Sequence, residues 1–129
     1  MNIVCVAFGG GLGAVGRYLC GMLPIPCWGG FPVATLCVNF IGALIIGGLS
    51  GLLDNASCLS FHLSERAMLF LKVGFCGGFT TFSTFSLEMF NLLDEGKLVL
   101  SLTYAVISVA LCLLGVCLGR YLVKIVFVK

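Results

Sequence analysis

From Tyr18 to Leu53 the chain carries no charged side chain at all. A stretch of that length cannot be the surface of a water-soluble domain, so the bilayer is the solvent in which this sequence has to fold. Pro24, Pro26 and Pro32, together with Gly29 and Gly30, forbid one continuous helix through it, and Trp28 in their midst marks a membrane interface. Composition agrees: 60% of the residues are hydrophobic and 9% charged, where a soluble domain carries about 25% charged residues, and the mean hydropathy is +1.21. The class that follows is an all-α membrane protein of one domain, with four transmembrane helices at about 2–23, 31–53, 67–93 and 98–119, each long enough for a hydrocarbon core of roughly 30 Å. The N-terminus lacks the basic region and cleavage pattern of a secretory signal, so the first span is expected to be retained. A formal net charge of +2 without a basic run gives no reason to expect a nucleic-acid partner.

Two features that imitate other chemistries fall away on inspection. The opening NIVCVAF followed by Gly11, Gly13 and Gly16 resembles a strand entering a dinucleotide-binding turn, but that fingerprint wants an acid about 20 positions on. The next acid is Asp54. Gly9 and Gly13 read better as a close-packing GxxxG face between membrane helices, as do the pairs Gly47 and Gly51, and Gly115 and Gly119. The eight cysteines, Cys5, Cys20, Cys27, Cys37, Cys58, Cys76, Cys112 and Cys117, form no CxxC pair, and the chain has one histidine, His62, which is given no role. They are expected to be small membrane-compatible fillers rather than zinc ligands or disulfides. No catalytic residues are discernible, and the chain is not expected to be an enzyme.

The stretch Gly74 to Phe85, GFCGGFTTFSTF, lies inside the third apolar segment yet packs three glycines, three threonines and a serine into twelve residues. Glycine and β-branched residues side by side weaken a helix, so this helix is expected to be broken at its centre. Broken backbone in a membrane is tolerated only where protein or a water-filled cavity satisfies it, which points to an ion site. If helix resumes beyond the break, Phe82 and Phe85 share one face, Thr81, Thr84 and Glu88 a neighbouring one, and Ser83 and Ser86 form a further short pair. The result is a polar track beside an aromatic ladder. In the second span Thr35 and Asn39 stand one turn apart, either as glue between helices or as ion donors. In the fourth, Tyr104, Ser108 and Cys112 recur every four residues. Arg17 is either a headgroup anchor or a cation at a pore mouth, and Lys72 is expected to reach back to the membrane surface.

These residues carry a family resemblance. GGGLGAVGRY at Gly9 to Tyr18, TLCVNFIG at Thr35 to Gly42, and GFCGGFTTFSTF at Gly74 to Phe85 followed by Ser86 and Glu88 closely resemble the Fluc/CrcB fluoride channels of bacteria. The likeness touches all four spans, and GGFTTFSTFS is a highly specific string. It implies an antiparallel, dual-topology homodimer with two narrow pores in the bacterial cytoplasmic (inner) membrane. By matching positions, Asn39 would donate its amide to fluoride and Phe82 and Phe85 would form the family's phenylalanine box. Thr81, Ser83, Thr84, Ser86 and Glu88 would lie on or beside the polar track, with Tyr104 and Ser108 contributing from the fourth helix. Arg17 would face the aqueous vestibule. The carbonyls of Gly77 and Thr80 from both subunits would hold a structural sodium ion.

Charge placement departs from that pattern. The side bearing both termini carries Arg66, Lys72, Arg120, Lys124 and Lys129, against Arg17 and Lys97 opposite. Positive charge gathers on the cytoplasmic side, so this bias argues against insertion in both orientations and makes an oppositely oriented paralogue, hence a heterodimeric channel, the alternative to a homodimer. Two other classes compete. A small proton-coupled exporter would want an acid in its first span, and here rests on Glu88 alone. A noncatalytic assembly subunit would need only the glycine faces.

Overall fold

A computed structural model describes residues 2–24, 30–55 and 63–127. Pro26, Cys27, Trp28, Gly29, Cys58, His62 and Lys129, which figure in the sequence reading, lie outside the described residues. Helix α1 runs Asn2–Gly21 and α2 Val33–Asp54. The third stretch opens as α3, Glu65–Met68, where the Ser64 hydroxyl caps the helix by accepting from the amide of Ala67 at 3.2 Å. It continues as a π-helical segment, Leu69–Cys76, and ends as α4, Gly77–Phe79. Thr80 and Thr81 are extended, with φ/ψ of −76°/157° and −147°/121°, before α5, Phe82–Asp94, and α6, Leu98–Phe127. Four stretches, Asn2–Gly21, Val33–Asp54, Glu65–Asp94 and Leu98–Phe127, are long and apolar enough to cross a membrane. α6 continues two turns past the expected end near 119. Arg120 and Lys124 ride on those turns, where cations favour the negative end of the helix, and Arg120 forms an ion pair with Asp54 at the end of α2.

Between α5 and α6 the chain reverses in a tight cap. Gly96 takes φ +74°, its amide donates to the Leu93 carbonyl at 2.9 Å, and the Lys97 amide donates to that of Leu92 at 2.8 Å. Only glycine takes that left-handed position without strain.

The helices associate in two pairs. α1 packs along Leu69–Cys76 and α4, while α2 packs along α6. Beyond the extended pair the third stretch changes partner, because α5 packs on α6 and no longer on α1. Lipid tails are as apolar as leucine, so close packing has to hold these pairs together. Glycine makes it possible. A Cβ at Gly9 would land on the Phe70 carbonyl oxygen, one at Gly13 on that of Phe75, and one at Gly78 on that of Gly10. On the other pair, a Cβ at Gly47 would strike the Val116 carbonyl and one at Gly119 that of Leu44, while one at Gly115 would come within 3.1 Å of the Phe40 oxygen. The start of α1, the end of α2, the start of α3 and the end of α6 therefore share one side of the bundle.

Gly77 and Gly78, read in the sequence as helix weakeners, are themselves helical; the two threonines after them carry the extended conformation. Gly78 is needed for the approach of α1 rather than for flexibility.

Gly13→Leu is expected to destabilise the folded protein by about 1–3 kcal/mol through overpacking. Gly11→Ala, at a site with nothing within 4 Å of the new methyl group, is expected to be neutral or slightly stabilising. Thermal unfolding of the two variants in detergent checks both.

Candidate functional site

The extended residues are tied down by one side chain. The Thr81 amide donates to Asn39 Oδ1 at 2.8 Å, and Asn39 Nδ2 donates to the Thr81 carbonyl at 3.0 Å. Asn39 thus offers Thr81 what a neighbouring strand would offer, and both backbone groups released by the departure from helix are paired. The Thr81 hydroxyl accepts from the Thr84 amide at 3.1 Å, capping α5, and donates to the Thr84 hydroxyl at 3.0 Å; Ser83 Oγ lies 3.3 Å from it. On the α4 side, the Thr80 amide and hydroxyl both donate to the Cys76 carbonyl, at 3.0 and 2.9 Å. Arg17 Nε reaches across from α1 to donate to the Gly78 carbonyl at 3.2 Å.

A second node lies one turn earlier in α2. Thr35 Oγ1 donates to Glu88 Oε1 and the fully buried Tyr104 hydroxyl donates to Glu88 Oε2, each at 2.7 Å. One carboxylate therefore binds α2, α5 and α6 together through charge-assisted hydrogen bonds. Nearby, the buried Ser101 hydroxyl donates to the Met89 carbonyl at 3.1 Å. Aromatic rings run through the same region: Phe82 and Phe85 have centroids 5.6 Å apart, Phe85 and Tyr104 5.1 Å, and Tyr104 and Phe31 5.3 Å edge to face. Phe85 is buried, whereas Phe82 is 79% exposed.

Two cavities flank the extended pair, and Thr81 stands in the wall of both. The larger, about 450 Å³, lies among α2, α6 and the first half of the third stretch, and brings Asn39, Thr80, Phe82, Phe85 and Ser108 together. The buried Ser108 hydroxyl lies beside that of Tyr104 and makes no hydrogen bond of ordinary geometry among the described residues. The other, about 390 Å³, holds Arg17, Thr35, Thr84 and Glu88. Ser83 lies at the exposed start of α5, and the Ser86 hydroxyl folds back to donate to the Phe82 carbonyl at 2.9 Å. Gly77 borders the larger cavity with nothing within 4 Å of a Cβ built on it. Among the described residues no three His, Cys, Asp or Glu side chains come together to hold a metal ion.

Gly42, Ile46 and Lys72 are among the residues of the larger cavity that the sequence had not placed at the site. Gly42 and Ile46 continue the spacing begun by Asn39, so the 3.6-residue period could have revealed them. Lys72, expected to reach back to the membrane surface, also lines this cavity, on π-helical turns of Leu69–Cys76 that shift the faces away from the ordinary α-helical count.

This fold defines a class of small helical membrane proteins with four spans and two cavities beside a pair of extended threonines. Residues 4–120 match the family model described as "CrcB-like protein, Camphor Resistance (CrcB)". The chain is 45% identical over 125 residues to a protein of Ruminiclostridium cellulolyticum named "Fluoride-specific ion channel FluC", covering 96% of this chain and 93% of that one. Proteins of the same name from Nitrobacter winogradskyi and Pyrococcus abyssi are 40% identical over 126 residues and 44% identical over 117, covering 96% and 90% of each chain respectively. The chain belongs to the CrcB family.

Replacing Asn39 by Leu leaves the Thr81 amide and carbonyl unpaired and is expected to cost about 1–3 kcal/mol. Thr35→Val removes one of two donors to Glu88 and is expected to cost less. Unfolding midpoints of the two variants in detergent decide the order; equal stability of Asn39→Leu and the parent protein would contradict the bridging role.

Proposed function

We propose that this chain is a passive fluoride-selective channel that lowers cytoplasmic fluoride, working as an antiparallel dimer with two pores in the bacterial cytoplasmic membrane. The observation that carries this reading is the larger cavity, where Ser108 and Asn39 stand with Phe82 and Phe85. Asn39 spends one amide hydrogen on Thr81 and keeps the second for a ligand. Fluoride is small and strongly hydrated, so its passage requires donors that replace water without a grip too firm to release it. Hydroxyl and amide hydrogens do this, and aromatic ring edges, which carry partial positive charge, extend the path past Phe82 and Phe85. The relatives' names point to the same ion. A negative interior drives an anion outward by about 2.3 kcal/mol per 100 mV, so export needs no coupled proton. Glu88 has a sufficient role in holding Thr35 and Tyr104.

The dimer reading is supported by what one chain leaves open. Phe82 is largely exposed, as are Phe8, Leu12 and Val15 along α1. Gly77 borders open space, and the carbonyl of Thr80, with ψ 157°, no longer runs along the helix. Carbonyl oxygens suit a hard cation, so Gly77 and Thr80 fit the structural sodium ion that the family resemblance implies. Bound there between two copies, such an ion would supply positive charge that ties their backbones together. The excess of Arg66, Arg120 and Lys124 on the terminal side supports a second reading, in which the partner is an oppositely oriented paralogue.

Liposomes containing only this chain are expected to lose fluoride rapidly and chloride slowly, as followed by ion-selective electrodes. Phe82→Ile and Phe85→Ile are each expected to slow fluoride about tenfold, the factor that corresponds to the roughly 1.4 kcal/mol of an aromatic contact. Equal loss of both anions would rule out selectivity. No loss from folded protein would favour the paralogue.

A further inference from the structure

Lys72 sits half-buried in the wall of the larger cavity, two turns into the third stretch from Glu65. Most of that wall is apolar, with Ala43, Ile46, Val109 and Leu113 among its residues. An ammonium in such surroundings needs a counter-charge, since taking it from water unpaired is costly. The protein has five carboxylate side chains, all among the described residues. Asp54 pairs with Arg120, Glu95 with Lys97, and Glu88 accepts from Thr35 and Tyr104. Glu65 and Asp94 stand exposed at opposite ends of the stretch, and neither lies within 4 Å of Lys72 Nζ, which forms no salt bridge among the described residues. Among the described residues Lys72 therefore has no carboxylate partner, and Asn39 and Ser108 line the same space.

We infer that Lys72 takes its counterion from solution and is the residue that concentrates fluoride in the larger cavity. This rests on the channel reading above and adds to it a residue that sets how much of the ion is present at low concentration. Arg17 occupies the other cavity, and Thr81 belongs to both walls, so each space beside the extended pair has a cation of its own. Arg17, however, is engaged with the Gly78 carbonyl. Lys72 is in no salt bridge among the described residues, and lysine carries three donors on a flexible stem.

Two measurements on the purified full chain test this. The first is the fluoride-dependent rise in unfolding temperature in detergent, which reads ion binding without transport. The second is fluoride efflux from liposomes of neutral lipid at low and at high ionic strength. Lys72→Gln and Lys72→Met remove a charge from apolar surroundings and leave the Asn39 and Glu88 bridges in place, so both variants are expected to fold. Each is expected to need about threefold to tenfold more fluoride for the same stabilisation and to lose flux by a similar factor at low salt, with the difference shrinking as salt screens the charge. Lys72→Arg is expected to restore both. If parent protein and Lys72→Gln are stabilised by the same fluoride concentrations, the inference is overturned, as it is if fluoride stabilises neither or if Lys72→Arg fails as badly as Lys72→Gln. A headgroup anchor would give that null result in binding. Fluoride stabilisation that depends on Lys72 in a protein without flux would uphold the anion site and remove the channel reading instead.

Discussion

The pairing of Asn39 with both backbone groups of Thr81 is the contact on which the rest of the bundle depends. In water an interrupted helix would be solvated at no great cost, but in hydrocarbon no water is at hand to satisfy an unpaired amide or carbonyl. One asparagine on α2 meets that requirement at 2.8 and 3.0 Å. It also fixes where α2 stands relative to the third stretch, and therefore where the larger cavity lies. A hydrogen bond that begins as backbone bookkeeping becomes the positioning device for a site.

That contact permits the third stretch to serve two partners. Its first half, through Gly74 and Gly78, is pressed against the backbone of α1; its second half leans on α6 through Phe85, Leu92 and Tyr104. A continuous helix would project its faces in one uninterrupted spiral and could not follow both. The extended threonines reset the direction, and space opens on either side of them. Polar groups then collect around that space because they are the same groups that hold the reset in place: Asn39, Thr81 and Thr84.

Much of this was legible in the residues. Charge-free runs bounded by proline and glycine located the spans, and the glycine pairs identified surfaces that the bundle uses for close packing. The polar residues of the third span were visible as a cluster, and the spacing of Thr35 and Asn39 placed both on one face. Their partners were not legible. Nothing in the local pattern says that Asn39 should meet Thr81 rather than a residue of α6, or that Glu88 should receive Thr35 and Tyr104 at once, because those are long-range choices made by helix packing. That Lys72 also lines the larger cavity was illegible for a different reason: π-helical turns between Leu69 and Cys76 alter which way a side chain points.

The contact between α1 and the third stretch has a consequence for how this sequence can drift. Where two side chains meet, an enlargement on one helix can be offset by trimming on the other, and paired changes keep the fit. At Gly9, Gly13, Gly74 and Gly78 what meets is main chain on both sides. There is nothing left to trim, so no second-site suppressor inside the contact can rescue a bulkier residue. Variation on α1 is confined to the face turned away from the third stretch, where Ile3, Val4, Phe8 and Leu12 stand exposed.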